Sequence, residues 1–257
     1  MFRYGEMHEK REEIKSKPWL GAVEPCRIIG DVYFVGTYQA SCHIIDTGDG
    51  LIMIDPGYTN TAHIVINSIY KLGYSPYDIK YIINSHWHGD HVEATAAFAY
   101  LTGAKTLIGR DDAEKAGKYF TPDVLVDDGD TLKLGNTTIT FMHTPGHTKG
   151  TISPFFDVID DGKTYRVGMF GGAGVNTLHE GKFDFEGARE AYVASIERLK
   201  GEHVDVFIGN HTWNNDTCGK AQRMLESGKN EFIDPELWCK FLDNCLDRLQ
   251  SVIEQEK

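Results

Sequence analysis

Six consecutive residues, His86-Trp87-His88-Gly89-Asp90-His91, carry four side chains able to ligate a metal, and they follow closely on an apolar run, Ile79-Lys80-Tyr81-Ile82-Ile83. Imidazole nitrogens with a carboxylate suit zinc, iron or nickel better than calcium or magnesium. On a strand His86, His88 and Asp90 would share one face and His91 the other, whereas on a helix His88 would point away from the rest. A turn at a strand end serves all four, and one such turn can hold half of each of two metal sites. Asp90 is also the candidate catalytic residue, because a carboxylate beside a metal can orient a water nucleophile.

Three protein ligands per metal require two more residues from elsewhere in the chain. His147 lies in Thr144-Pro145-Gly146-His147-Thr148-Lys149-Gly150, where Pro and Gly stop any helix and leave the ring at the end of an expected strand, 137–142. His211 follows Val204-Asp205-Val206-Phe207-Ile208-Gly209-Asn210, another apolar strand ending in a turn. His143 and His179 lack such a setting and read as surface histidines. Ser85, beside His86, reads as a strand-end residue rather than a nucleophile.

The elements that must carry these loops alternate along the chain. Strands are expected over 27–37, 41–47 and 50–54, the last two joined by Gly48-Asp49-Gly50, a hairpin signal. A helix over 60–72, ended by Gly73, leads to the strand before the metal loop, and a second helix over 93–101 follows that loop. Strands near 104–108, 130–134, 137–142, 150–157 and 164–170 are expected to form a second sheet, and helices return over 185–200, 217–227 and 235–254. In the last helix Leu237, Phe241, Cys245, Leu249 and Val252 recur at helical spacing, Asp234 is placed to cap and Pro235 suits the first turn.

Composition bounds the function classes. A chain of 257 residues at 41% apolar can bury a large core, and no Pro-rich or Ser-rich linker divides it. Residues 1–25 read as a charged N-terminal extension and 26–257 as one domain. The net charge of −12, from 26 basic and 38 acidic residues, opposes nucleic-acid binding. No signal-like apolar segment opens the chain, and no stretch reaches the length of a membrane span. Five cysteines, Cys26, Cys42, Cys218, Cys239 and Cys245, form no Cys-x-x-Cys pair and read as free core thiols. A cytoplasmic protein with a small-molecule substrate, no nucleic acid and no membrane is the expectation.

The His-x-His-x-Asp-His run, the Gly146-His147 loop and the late His211 resemble the metallo-β-lactamase superfamily. The likeness extends to Ile28–Thr37, to Leu51-Ile52-Met53-Ile54-Asp55-Pro56-Gly57 and to Phe232-Ile233-Asp234-Pro235, and is strongest to the third, dinuclear subclass with no cysteine ligand. It implies an α/β fold, the αββα sandwich of two mixed β-sheets flanked by helices. It also implies one metal on His86, His88 and His147 and a second on Asp90, His91 and His211, with Asp55 as a buried carboxylate beneath the metal loop. The cofactor implied is two zinc ions per chain, with iron the alternative metal.

Two departures from the family pattern stand out. Most of its hydrolases carry a carboxylate bridging the metals after the strand that here reads Arg166-Val167-Gly168-Met169-Phe170-Gly171-Gly172-Ala173-Gly174, and no Asp or Glu stands between Arg166 and Asn176. A shared hydroxide is then the only single-atom bridge. The third subclass also presents serines in this loop for the β-lactam carboxylate, where this chain has Gly172 and Gly174. These glycines serve either a tight turn at positive φ or a gap that admits substrate. With Tyr38, Trp87, Trp213 and Asn214 they form the candidate substrate pocket. The expected activity is dinuclear hydrolysis of a lactam, lactone, ester or thioester by a metal-activated hydroxide. The alternatives are an iron-dependent oxidoreductase of the sulfur dioxygenase type and a non-catalytic metal-binding module.

Overall fold

Short, strongly apolar segments such as Leu51–Ile54 and Ile79–Asn84 are buried along most of their length, as strands covered on both faces must be. The computed structural model describes Met7 and residues 9–257. Its first sheet holds seven strands in sequence order: β1 (Cys26–Ile29), β2 (Val32–Phe34), β3 (His43–Asp46), β4 (Leu51–Ile54), β5 (Ile79–Asn84), β6 (Lys105–Gly109) and β7 (Val124–Val126). Neighbours are antiparallel from β1 to β4 and parallel from β4 to β7. The second sheet has five strands, β8 (Thr131–Leu134), β9 (Thr137–His143), β10 (Ile152–Asp160), β11 (Lys163–Gly168) and β12 (Val206–Phe207), in the order β12-β11-β10-β9-β8. Only its β11–β12 pair is parallel.

The two sheets bury one shared core, in which Ile28, Ile52 and Ile83 of the first meet Ile139, Phe156 and Val167 of the second. Each such side chain contributes about 1.5–3 kcal/mol by leaving water. Val65 and Ile69 of the helix Ala62–Lys71 and Phe98 of the helix Thr95–Thr102 cover the outer face of the first sheet. Tyr192 and Ile196 of the helix Ala188–Leu199, with Trp238 and Phe241 of the helix Pro235–Gln255, cover the second. The result is the expected αββα sandwich with two mixed sheets. Among the described residues no helix is long and apolar enough to cross a membrane.

Several local expectations change. The strand expected over 27–37 is broken into β1 and β2 because Gly30 turns the chain at φ 51°. The segment expected over 104–108 joins the first sheet rather than the second: the helix Thr95–Thr102 returns the chain beside β5, and β6 pairs parallel to it. Spacing along the chain cannot distinguish the two sheets, since both need the same apolar residues. The helix expected over 93–101 starts late, at Thr95, after a single turn, Gly89–Val92. Strand β7 was not expected at all. Pro235 does open the last helix, but the Asp234 side chain makes no capping hydrogen bond. Residues 1–6 and 8 of the expected extension lie outside the described residues; within the rest, Met7 and Ile14 are buried against Tyr38.

The loops that carry the candidate ligands follow β5, β9 and β12, and glycines set how closely they pack. A Cβ on Gly109, at the end of β6, would stand 1.9 Å from the Gly150 carbonyl oxygen in the loop that follows His147. Gly109→Ala is therefore expected to cost roughly 2–3 kcal/mol. The urea-unfolding midpoint measures this, and an unchanged midpoint would show that the two loops can separate freely.

Candidate metal centre

Three loops meet at one edge of the sandwich. Strand β5 ends in Asn84, whose amide donates to the Leu107 carbonyl at 3.0 Å and whose oxygen accepts from Thr95 at 2.6 Å. That clamp sets the direction in which the chain leaves the sheet. Ser85 to His88 then run without regular structure, and Gly89–Val92 form one helical turn. The Ser85 carbonyl accepts from the Ile152 backbone at 2.9 Å, which ties the loop to β10 in the second sheet. The Ser41 backbone donates to the Asn210 carbonyl at 3.1 Å, which ties the segment after β12 to the first.

The six side chains named from the sequence gather into two groups of three, His86, His88 and His147 in one and Asp90, His91 and His211 in the other. Within each group the candidate ligand atoms lie within 4.8 Å of one another. The groups are neighbours, since the rings of His86 and His91 are 4.2 Å apart. Asp90 Oδ2 lies 3.3 Å from His91 Nε2 and 3.7 Å from His211 Nε2. The first group has nitrogen donors only, and the second adds one carboxylate.

Hydrogen bonds on the far side of each ring decide which nitrogen faces inward. His147 donates Nδ1–H to the Gly174 carbonyl at 2.8 Å, His211 does so to the Gln39 carbonyl at 2.7 Å, and His91 Nδ1 reaches Asp55 Oδ2 at 2.9 Å. In all three, Nε2 is left to the centre, the arrangement metal-binding histidines use to fix tautomer and orientation. The Nε2 atoms of His86 and His91 are buried without a hydrogen-bond partner; the nearby Asp90 oxygen lacks bonding geometry toward His91. A buried imidazole nitrogen facing other nitrogens has little reason to persist unless a cation takes its lone pair. His88 Nδ1 is 2.9 Å from His147 Nε2, two atoms that would face a common ion. The donor set thus fits two ions of the zinc type.

Electrostatics act in the same direction at four of the five rings, and against it at His91, which would have to give up a proton to an ion. Burial, and to a smaller degree the neighbouring histidines, push His86 and His147 well below the usual imidazole range. Burial also brings His88 and His211 down to about 4, against a partial opposing pull from Asp90. Burial alone would raise the Asp90 carboxyl, but His91, His211 and His88 override it and hold the group ionised. Burial opposes charge on His91 too, yet Asp90 and Asp55 raise it to about 10.

Beneath the loop, Asp55 is 1% exposed and accepts from the Ser85 backbone and hydroxyl, both at 2.7 Å, besides His91. It holds φ at 53°, a conformation few non-glycine residues adopt. Ser85 is thus engaged twice over and is no free nucleophile. Gly172 and Gly174 are not at positive φ. Instead a Cβ on Gly172 would stand 2.7 Å from Thr151 Oγ1 and 2.9 Å from His147 Cβ, and one on Gly174 2.9 Å from His147 Cε1, so Gly172 makes room for the Thr151 side chain and the stem of His147, and Gly174 for the His147 ring.

Among the other named residues, Tyr38 is 1% exposed and packs tilted on Trp213, which stacks on His211 at 4.5 Å. Asn214 is buried and donates to Asn210. Trp87 stands beside His88 at 4.5 Å and faces an open pocket. His143 and His179 lie outside both groups.

Two carboxylates escaped the sequence reading. Asp112 accepts from the Trp87 backbone at 3.0 Å, the Thr148 hydroxyl at 2.7 Å and the Gly150 backbone at 2.7 Å, and so binds the loops of His86 and His147 together. Asp184 accepts from the Trp87 indole at 3.1 Å and the Lys149 backbone at 3.0 Å. Asp112 ends a 3-10 turn, Arg110–Asp112, and Asp184 lies in an irregular segment; in neither place does spacing mark a buried acid.

Replacing Asp55 by Ala leaves three donors of Ser85 and His91 unmatched in the interior. The expected cost is about 3 kcal/mol of stability and a 10- to 100-fold loss of zinc affinity, read by thermal unfolding and chelator competition. For Asp112, burial raises the carboxyl to about 6. Its ionisation therefore opposes folding above pH 6, and that opposition fades as pH falls toward the unfolded value near 4. Between pH 7 and pH 5 the metal-free wild type should gain roughly 1 kcal/mol relative to Asp112→Asn. Parallel stability curves for the two proteins would refute this.

Comparison with known proteins agrees with the geometry. The family model of the metallo-beta-lactamase superfamily matches residues 35–211. The structure of BJP-1, a subclass B3 metallo-beta-lactamase of Bradyrhizobium japonicum, superposes with a TM-score of 0.86 at 28% identity, covering 93% of this chain and 97% of that one. A hydroxyacylglutathione hydrolase of Hyphomonas neptunium is 36% identical over 122 residues, which are 48% of this chain and 43% of that protein. The chain thus spans less than half the length of such relatives. An N-acyl homoserine lactonase from a Bacillus species is 24% identical over 201 residues, 66% of this chain and 80% of the relative. Strand order, site geometry and matched sequence agree: the chain belongs to the metallo-beta-lactamase superfamily.

Proposed function

We propose that this enzyme is a dinuclear zinc hydrolase that opens a lactone, thioester, ester or lactam bond in a small substrate. The observation that carries the reading is the pair of adjacent three-residue groups, in which outward hydrogen bonds fix the inward nitrogens of His91, His147 and His211. His86, His88 and His147 on one side and Asp90, His91 and His211 on the other would hold the ions, and zinc bound there would supply Lewis acidity and lower the pKa of water from 15.7 toward about 7.

The chain's own residues do the rest. Asp90, ionised and 27% exposed at its side chain, accepts a hydrogen bond from water and turns a lone pair toward the substrate carbonyl. Asp55 keeps His91 from swinging as charge shifts during the reaction. Gly174, through its carbonyl, keeps the His147 tautomer constant. Tyr38 and Asn214 support the loops, while Trp87 and the stacked Trp213 flank the approach. Similarity to a hydroxyacylglutathione hydrolase and an N-acyl homoserine lactonase supports an activated acyl carbon as the point of attack. Gly172 and Gly174 offer no hydroxyl to a β-lactam carboxylate, so lactams are expected to be the poorest class. The free cysteines support a reducing, cytoplasmic setting.

Metal content of protein purified without chelator, followed by a screen of lactone, thioester, ester and lactam substrates, tests the proposal. Near two zinc ions per chain with turnover of one acyl class is expected. Asp90→Ala should lower that turnover on the order of 100-fold. One iron per chain with no hydrolysis would overturn the reading and favour dioxygenase chemistry.

A further inference from the structure

Two residues one turn apart on the helix Ala188–Leu199 reach the loop that carries His147. Ser195 Oγ donates to the Pro145 carbonyl at 2.8 Å. Tyr192, which is wholly buried, lies so close to Gly146 that a Cβ there would stand 2.5 Å from Tyr192 Cβ. The Tyr192 hydroxyl continues to a second loop, where it donates to the Ala173 carbonyl at 2.8 Å. From the helix Pro235–Gln255, Arg248 Nη2 donates to the same carbonyl at 3.3 Å and to Cys245 Sγ at 2.9 Å. Both lone pairs of one backbone oxygen are thereby taken by the helices that cover the second sheet.

The position of that oxygen matters because of the residue after it. Gly174 offers the carbonyl that accepts from His147 Nδ1 at 2.8 Å. Three of the four residues Gly171-Gly172-Ala173-Gly174 are glycine, so the backbone here has wide torsional freedom. Further back the loop is tied at Gly171, whose carbonyl accepts from Asn210 at 2.8 Å and whose amide donates to Ser153 at 3.1 Å. Holding the Ala173 carbonyl fixes the peptide plane that enters Gly174, which leaves the two torsions of Gly174 between that plane and the oxygen facing His147. Were the plane to turn, His147 Nδ1–H would be left with Thr177 Oγ1 at 3.3 Å, whose own hydrogen goes to the His147 carbonyl. These contacts fall on the two sides of His147, and none involves the outward bonds of His91 and His211, which go to Asp55 and Gln39.

We propose that Tyr192 is a positioning residue of the metal centre, whose hydroxyl, with the Arg248 guanidinium, holds the Ala173 carbonyl so that the Gly174 carbonyl faces His147 Nδ1. It touches neither metal nor substrate and acts through His147. The group of His86, His88 and His147 therefore leans on the helical layer, whereas Tyr192 has no hold on the group of Asp90, His91 and His211. This rests on the metal centre described above and not on the bond that the enzyme opens.

The test is Tyr192→Phe, which removes one oxygen and keeps the ring. Solvent exchange of the His147 and His211 Nδ1 protons is followed by NMR of 15N-labelled protein, with His211 as the control inside the same molecule. In both metal-free and zinc-loaded protein the His147 proton is expected to exchange about fivefold faster in the variant, the equivalent of one neutral hydrogen bond, and the His211 proton at its wild-type rate. Chelator competition should show one of the two zinc ions bound about fivefold more weakly and the other as in the wild type. Protons or zinc affinities that are unchanged at both sites, or changed by the same factor at both, would overturn the proposal, since a general loss of stability acts on both. Arg248 is exposed, so Arg248→Met leaves the core intact. It is expected to act in the same direction by about twofold, through a longer bond, and carries the comparison if Tyr192→Phe fails to fold. Failure of the wild type to take up zinc would count against the hydrolase reading, and exchange in the metal-free protein would still decide the role of Tyr192.

Discussion

The centre depends on one buried carboxylate. Asp55 leaves β4 in a left-handed conformation and places its two oxygens where Ser85 and His91 donate to them. This joins the end of β4 to the start and the finish of the metal loop across a parallel strand pair. Without that bond the loop would be a six-residue run of polar side chains at a strand end, free to sample many conformations. With it, His86 and His91 face one another at 4.2 Å. The surrounding histidines and carbonyls then have a frame against which to orient.

Around this frame the molecule repeats a single device. Three of the five imidazoles are held from behind by an acceptor: an aspartate for His91, the Gly174 carbonyl for His147 and the Gln39 carbonyl for His211. Two of the acceptors are backbone groups from loops distant in sequence. The geometry of the centre is therefore inherited from how the two sheets pack, and the close approaches at Gly109, Gly172 and Gly174 are needed to bring the loops within bonding distance. Asp112 does similar service between the His86 and His147 loops, and Asp184 extends the network outward to Trp87 and the lysines.

Much of this was legible in the chain. The density of His86, His88, Asp90 and His91 after an apolar strand could hardly serve anything but metal, and Pro and Gly around His147 forced that histidine into a loop. The resemblance to a known superfamily implied a division of the ligands into two sets, and the same side chains cluster in two groups that could each hold a metal. Most elements fell near their expected bounds because apolar periodicity and glycine punctuation are local properties. Three kinds of feature were not legible. The sheet to which β6 belongs depends on pairing between segments far apart in sequence. The purpose of Gly172 and Gly174 depends on where Thr151 and His147 lie. Tyr38 carries an aromatic ring suited to a pocket, yet it lies in the interior because Met7 and Ile14 cover it.

The sequence by itself therefore determined the chemistry available, namely which donor atoms exist and that they sit on loops at strand ends, since residue type and backbone punctuation are written locally. Only the tertiary structure decided which nitrogen of His91, His147 and His211 points inward and which carboxylates are buried and spoken for. Those are properties of partners, and partners are assigned when distant segments pack together.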